Sequence, residues 1–242
     1  MASLFISDLH LTEAHPAITR MLFGLLLGAA RDADALYILG DLFEYWAGDD
    51  DLDEPLNRDV STALRELADS GVAIYFMAGN RDFLIGEDYA RRSGLTLLAD
   101  PALVDLDGTP TLLMHGDTLC TDDAAYLQFR SMVRTPAYIA QFLAQPLAAR
   151  KTQIAAIRNR SEAEKHAKDA GIMDVNRDAV IAAMRGHGSL RLIHGHTHRP
   201  AEHRLDIDGA PASRIVLADW QDARGEYLRC DGGDCSRIEL RP

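Results

Sequence analysis

The chain has 242 residues, 47% of them hydrophobic and 26% charged, values close to soluble globular averages that exclude disordered and fibrous classes and allow one sizeable core. Its formal net charge of −12 would repel a nucleic-acid backbone, because such binding rests on Lys and Arg displacing counterions, so no nucleic-acid partner is expected. A small anionic substrate stays open, since bound divalent cations reverse the sign of an acidic site.

In chain order, Leu4-Phe5-Ile6 predicts a strand at the very start. Ala17 to Ala30 then carries Ile18, Met21, Leu22, Leu25, Leu26 and Ala29 at helical spacing. Leu36 to Leu39 predicts the next strand, and Asn57 to Asp69 a helix with Val60, Ala63, Leu64 and Leu67 on one stripe, stopped at Gly71. Further strands are expected at Val72 to Met77, Thr111 to Met114, Leu190 to Ile193 and Arg214 to Leu217. Short β-branched and aromatic runs alternating with helix-period segments predict a sheet layered with helices, an α/β fold.

Between Asp122 and Gly186 the strand signals stop and helical segments follow one another. The expectation is a catalytic domain of residues 1–121 and 187–242, interrupted by a helical insertion over 122–186 that packs on it as a cap. The insertion holds an apolar cluster from Tyr126 to Leu147, including Phe129, Met132, Tyr138 and Phe142, followed by a basic stretch from Arg150 to Lys168. Its Ser161, Lys165 and Lys168 are spaced to share one helical face, which could hold a phosphorylated sugar or be a solvated basic face. Asp49-Asp50-Asp51 reads as a solvated acidic loop.

Cys120, Cys230 and Cys235 are too few and too scattered for a disulfide framework and fit a reducing compartment. Cys230 and Cys235 flank Asp231-Gly232-Gly233-Asp234 and can face one another across a hairpin turn. The longest apolar stretch, Met21 to Ala30, is too short to span a bilayer, and no leader pattern opens the chain. A cytosolic protein is expected.

The chemistry lies where the strands end. Five predicted strands run directly into metal-ligand residue types, usually beside a glycine: Asp8-Leu9-His10, Gly40-Asp41, Gly79-Asn80-Arg81-Asp82, His115-Gly116-Asp117 and His194-Gly195-His196-Thr197-His198. In layered α/β folds strand ends converge on one edge, where ligands bind, and the glycines permit sharp turns and close approach. Taken singly, each motif has an ordinary explanation: a helix cap for Asp41, a turn residue for Asn80, a core histidine for His115. Their joint occurrence at the same structural position argues for a shared site. Carboxylates, imidazoles and an amide oxygen without thiolate suit Mn²⁺, Fe²⁺ or Zn²⁺. Seven side chains exceed one ion's need, and two ions bridged by a carboxylate can drive in-line displacement at phosphorus by water. Neither a nucleophile elbow nor a phosphate-binding Gly-Lys loop is present in the sequence.

The order Asp-x-His, Gly-Asp, Gly-Asn, His-Gly-Asp, Gly-His-x-His resembles the calcineurin-like metallophosphoesterase superfamily. The longer strings Gly40 to Glu44, Gly79 to Leu84, His115 to Asp123 and His194 to Pro200 resemble, within it, the UDP-2,3-diacylglucosamine diphosphatase family of lipid A biosynthesis. The likeness runs from residue 1 to about residue 220. It implies a layered β-sandwich flanked by helices, with a helical cap. It implies two Mn²⁺ per chain, one held by Asp8, His10, Asp41 and His198 and the other by Asp41, Asn80, His115 and His196, with Asp41 bridging. It further implies hydrolysis of the substrate pyrophosphate to UMP and 2,3-diacylglucosamine 1-phosphate, and peripheral contact with the cytoplasmic face of the inner membrane. No obligate protein partner is implied.

Many superfamily members carry histidine where this chain has Arg81; arginine stays charged and cannot act as a general acid, so Arg81 is read as a phosphate clamp. Catalytic roles are expected at Asp41, Arg81 and His196, and the resemblance places substrate contacts at Asn80, Arg81, Asp123, Ser161, Lys165, Lys168 and His196. Asp123 could equally be a helix N-cap. His194 is left out of the ligand set and read as a structural hydrogen-bonding residue. Two other readings compete: a soluble phosphodiesterase or phosphatase of the same superfamily acting on nucleotides or phosphoproteins, and a catalytically dead scaffold, which would have no need of seven ligand residues.

Overall fold

A computed structural model describes residues 2–167 and 174–242, with the backbone alone described for 161–167. Two sheets face each other. The first contains β1 (Ser3–Ile6), β2 (Ala35–Leu39), β3 (Ala73–Met77), β4 (Leu95–Leu98), β10 (Gly225–Asp231) and β11 (Asp234–Leu240), in the order β11-β10-β1-β2-β3-β4. The second contains β5 (Ala102–Leu106), β6 (Thr109–Met114), β7 (Arg191–His194), β8 (Ala201–Ile207) and β9 (Ala210–Val216), in the order β5-β6-β7-β9-β8.

Alternation along each strand sorts side chains between two faces. In β1, Phe5 points between the sheets while Leu4 and Ile6 point outward. Phe5 is registered with Tyr37 and Tyr37 with Tyr75, and their rings stack at 4.8 Å between successive centroids. Such cross-strand aromatic pairs contribute about 0.2–1 kcal/mol each. Opposite them, Leu113, Ile193, Ile215 and Leu217 close the inner core.

Helices cover both outer faces. Leu4, Ile6, Leu36, Ile38, Ile74 and Phe76 pack against α1 (Pro16–Leu27), α2 (Pro55–Asp69) and α3 (Glu87–Ser93). Proline near the start suits α1 and α2, because the missing N–H lies among those the helix cannot pair. The predicted stop at Gly71 corresponds to a helix that ends at Asp69, with Gly71 at φ +101°. On the other face, Leu112, Met114 and Leu192 pack against Val180 and Met184 of α7 (Arg177–Gly186).

Between β6 and β7 come α4 (Ala124–Val133), α5 (Pro136–Leu143), α6 (Leu147–Ala167) and α7, with no strand among the described residues. No described helix is long and apolar enough to cross a membrane.

Two expectations are corrected here. Asp49-Asp50-Asp51 is not a solvated loop. Asp49 accepts the Trp46 indole N–H and the backbone N–H groups of Gly86, Asp88 and Tyr89, so it caps α3 from a distant segment. Asp51 is buried and pairs with Lys151 at 2.7 Å, and Asp50 pairs with the buried Arg150. The cysteines are not all free either. Cys230 and Cys235 are registered opposite one another in the β10–β11 hairpin and joined as a disulfide, whereas Cys120 is buried and lies outside the disulfide. The facing of the two across the hairpin is as their spacing allowed, and the register that puts the sulfurs in reach closes them into a bond that the expectation of reduced cysteines left out.

Candidate metal centre

β1, β2 and β3 run parallel in one sheet, and β6 and β7 run parallel in the other. The carboxyl ends of all five come to one edge, bringing the loops that carry the seven candidate ligands into a single cleft. Backbone bonds zip these loops beyond the strands: Asp8 N–H donates to Gly40 O at 3.1 Å, His10 N–H to Asp41 O at 3.0 Å, and Gly195 N–H to His115 O at 2.9 Å. Trp220 N–H donates to Asp8 O at 3.0 Å and ties in the strand end after β9.

Non-glycine residues rarely adopt positive φ. Here Asp8, His10, Asp41, His196 and His198 all do, at φ 56°, 50°, 53°, 68° and 54°. Backbone strain of this kind clusters where surrounding structure over-determines a functional geometry. Two glycines answer a related need: a Cβ on Gly79 would overlap the Asp41 carboxylate, and one on Gly195 would overlap that of Asp8.

The side chains form two linked groups. In one, His10 Nε2 lies 3.3 Å from His198 Nε2, His198 Nε2 lies 3.5 Å from Asp8 Oδ1, and His10 Nε2 lies 3.9 Å from Asp41 Oδ2. In the other, Asn80 Oδ1 is 3.0 Å from His115 Nε2 and 2.9 Å from His196 Nδ1, and His115 Nε2 is 3.9 Å from Asp41 Oδ1. Asp41 lies between the groups. Ligand atoms of Asp8, His10 and His198, and likewise of Asp8, Asp41 and His115, lie close enough together to surround one cation.

The donor chemistry fits a cation. His115 Nδ1 donates to Leu39 O at 2.9 Å, so in the neutral ring Nε2 presents a lone pair toward Asn80 Oδ1, itself an acceptor. Asp8 Oδ1 is buried without a hydrogen-bond partner, while Asp8 Oδ2 accepts Ser7 Oγ–H at 2.6 Å and His196 N–H at 2.9 Å. Acceptors turned toward acceptors in a buried cleft are the mark of a metal-shaped arrangement. The electrostatics agree. Burial alone would lower the His115 pKa, but the carboxylates of Asp41, Asp117 and Asp8 hold it up at about 9. Burial would raise Asp8, yet His198, His115 and His10 pull it well below the usual carboxylate range. The cleft demands positive charge.

Several residues that sequence reasoning passed over hold this edge in place. Asp82 accepts the backbone N–H groups of Leu42 at 2.7 Å, Gly79 at 2.8 Å and Asp41 at 3.3 Å, pinning two ligand loops together. Glu44 Oε2 meets His10 Nδ1 at 3.2 Å, and Glu44 Oε1 lies 3.5 Å from Arg81 and also bonds Arg158 of α6. Asp117 accepts from Tyr126 Oη at 2.5 Å and Arg130 Nε at 2.6 Å, both on α4. Arg134 donates to Gly79 O at 2.7 Å. Glu44, Asp82 and Asp117 all stand within the quoted motif strings; their proximity to the ligands was the available signal.

Arg81 sits at the cleft beside Glu44, and its backbone N–H donates to Asp41 Oδ1 at 2.8 Å. Asp123 caps α4 by accepting Tyr126 N–H at 3.1 Å, one of the two roles open to it. The side chains of Ser161 and Lys165, and all of Lys168, lie outside the described residues. His194 is buried, donates to Gly195 O through Nδ1, and is kept neutral by burial, which lowers its pKa to about 4.

Two sheets whose strand ends converge on clustered carboxylates, imidazoles and an amide oxygen define a metal-dependent phosphoesterase of the calcineurin-like class. The chain belongs to the calcineurin-like phosphoesterase family, whose model matches residues 1–200. It is 55% identical over 96% of its length to the UDP-2,3-diacylglucosamine hydrolase of Aromatoleum aromaticum, covering 94% of that protein. It is 52% identical over 96% of its length to the protein of the same name from Pseudomonas aeruginosa, covering 95% of it. In fold it is similar to a dimetal phosphatase from Danio rerio, with a TM-score of 0.55 and 13% identity over 100% of this chain and 96% of that one.

Proposed function

We propose that this chain hydrolyses the pyrophosphate bond of UDP-2,3-diacylglucosamine with water, releasing UMP and 2,3-diacylglucosamine 1-phosphate for lipid A synthesis. The observation that carries the chemistry is the convergence of seven ligand-type side chains from five strand ends on one cleft. The substrate is supported by whole-length similarity to relatives named for it.

In this reading Asp8, His10 and His198 would hold one Mn²⁺ and Asn80, His115 and His196 the other, with Asp41, which lies between the two groups, serving both. Bound divalent ions would lower the pKa of an attacking water and neutralise charge on entering and leaving oxygens. The protein does the rest. Glu44 orients the His10 ring and offsets the charge of Arg81. Arg81 clamps a phosphate oxygen through its fixed guanidinium fork. Asn80 and His196 face the same phosphate, and Tyr126, whose ring lies beside that of His196, walls the cleft.

The α4–α6 helices would form the cap. Phe129, Met132, Leu143 and Ile157 are exposed on it, while Arg130, Arg134 and Arg158 attach it to the metal loops. An apolar surface beside the cleft suits two acyl chains and a peripheral position on the cytoplasmic face of the membrane. Asp123, Ser161, Lys165 and Lys168 would hold the phosphorylated sugar. The test is hydrolysis of UDP-2,3-diacylglucosamine against a generic phosphodiester, after chelation and with Mn²⁺ restored, alongside elemental analysis. Two ions per chain and a strong preference for the diacylated substrate are expected; an active preparation with one ion or none would sink the dinuclear assignment.

A further inference from the structure

Behind the loop that carries His196 and His198, on the outer face of the second sheet, lies a cavity of about 240 Å³. Its floor is β8 paired with β9, where His203 stands directly opposite Arg214, and Thr197, Arg199 and Asp174 complete its walls. Neither His196 nor His198 lines it.

Arg214 is 9% exposed and has no hydrogen-bond or ion-pair partner among the described residues. The carboxylate that acts on it electrostatically, Asp174, is already engaged: it pairs with Arg199 at 2.7 Å and accepts Val175 N–H at 2.8 Å. A guanidinium has five donors and no acceptor. A nearly buried guanidinium left open in a cavity is therefore half of a hydrogen-bonded set whose other half is an acceptor of negative charge.

Shape and charge narrow the ligand. Among the described residues that line it, two arginines stand against one aspartate. Donors approach from the β-sheet floor at Arg214 and His203, and a guanidinium fork matches the oxygens of a phosphate group. The volume lies below the ~300 Å³ at which drug-sized ligands begin to fit, which excludes a lipid. We propose that this cavity is a second anion-binding site, which takes the phosphate group of a small phosphomonoester on the back of the His196–His198 loop. Thr197 joins the two histidines and lines the cavity, so an occupant lies directly against the loop that presents them. The site is separate from the hydrolytic reaction assigned above and does not depend on it.

The test titrates the full-length, metal-loaded chain with inorganic phosphate and with uridine 5′-monophosphate by calorimetry, in the wild type and in two variants. Arg214→Met removes the buried cation while roughly keeping its volume. His203→Glu, at an exposed position, places a carboxylate opposite Arg214 and occupies it internally. Two classes of phosphate site are expected in the wild type, one of them weakened at least about tenfold by each variant, with turnover of a small chromogenic phosphodiester retained. Tighter binding of the nucleotide than of phosphate at that class would identify a nucleotide as the occupant; equal binding would identify free phosphate. A single class in the wild type, or two classes that survive both variants, would overturn the proposal. So would a loss seen with Arg214→Met and not with His203→Glu, because that pattern belongs to disturbed packing.

Discussion

The ligand edge and the helical insertion are held in opposite ways. At the edge each candidate ligand is fixed by several restraints at once: loops zipped backbone to backbone, Asp82 pinning the loops after β2 and β3, and five residues forced into left-handed backbone. In α4–α6 the buried apolar side chains are Val133 and Phe142, among the described residues, while Phe129, Met132, Leu143 and Ile157 stay exposed. The insertion is attached by polar contacts instead, through Arg130 to Asp117, Arg150 to Ala47 O and Asp50, Lys151 to Asp51 and Arg158 to Glu44. A segment fastened by its cations and sparing its apolar side chains keeps that surface for a ligand, whereas the edge spends its geometry on rigidity.

The sharpest way to break this contrast is at the bridge. Asp41→Ala removes the carboxylate between the two ligand groups, and the loss of several kcal/mol of charge stabilisation corresponds to a fall of about a thousandfold or more in turnover. Circular dichroism should stay unchanged, because the sheet cores do not include this side chain, and elemental analysis should find the metal content reduced. Near-normal turnover at saturating Mn²⁺ would show that the bridge lies elsewhere.

The insertion breaks differently. Arg150 is 1% exposed and donates to Gln145 O at 3.0 Å and to Ala47 O, besides pairing with Asp50. Arg150→Met fills much of the same space but leaves two carbonyls without donors, a cost of about 2–4 kcal/mol read by denaturant unfolding. The KM for the diacylated substrate should rise more than that for a small diester. Smaller still is the effect of Phe129→Ser combined with Met132→Ser. Both side chains are exposed, so unfolding should hardly change. Losing their contact with acyl chains should raise the KM for UDP-2,3-diacylglucosamine about tenfold. Equal losses on both substrates would mean that the insertion only supports the fold.

What could be read in the sequence follows where the apolar residues sit. The strands leading to the ligands are buried on both faces and therefore appear as continuous apolar runs, and each ligand adjoins a strand end. β8, by contrast, carries exposed Glu202, His203 and Arg204, and β11 lies at a sheet edge with a mixed pattern, so neither has a run to detect. α3 is seven residues long and owes its N-terminal pairing to Asp49, whose side chain arrives from a separate segment. No local pattern encodes that. Glu44, Asp82 and Asp117 act on backbone groups and side chains that only the fold brings near, whereas the ligand types carry their own spacing.

The least effect is expected where left-handed backbone serves only a turn. Asp107-Gly108 and Asp208-Gly209 have φ 52° and 83°, and 55° and 86°, the pattern of two-residue hairpin turns in which Asp and Asn are interchangeable. Asp208→Asn keeps that conformation and removes an exposed ion pair with Arg185, a contact of the kind that contributes little; the melting temperature should not move. His198 has almost the same φ, 54°, so His198→Asn is the matched experiment at the ligand edge. Asparagine tolerates the backbone there too, so metal-stripped wild type and His198→Asn should melt together. Restored Mn²⁺ should then raise the wild-type melting temperature much more than that of the variant, because binding to the native state stabilises it in proportion to affinity. Were the stripped variant to melt well below the stripped wild type, the contact of His198 with Asp8 would be structural in its own right, and strain at the edge would no longer be evidence of a place prepared for metal.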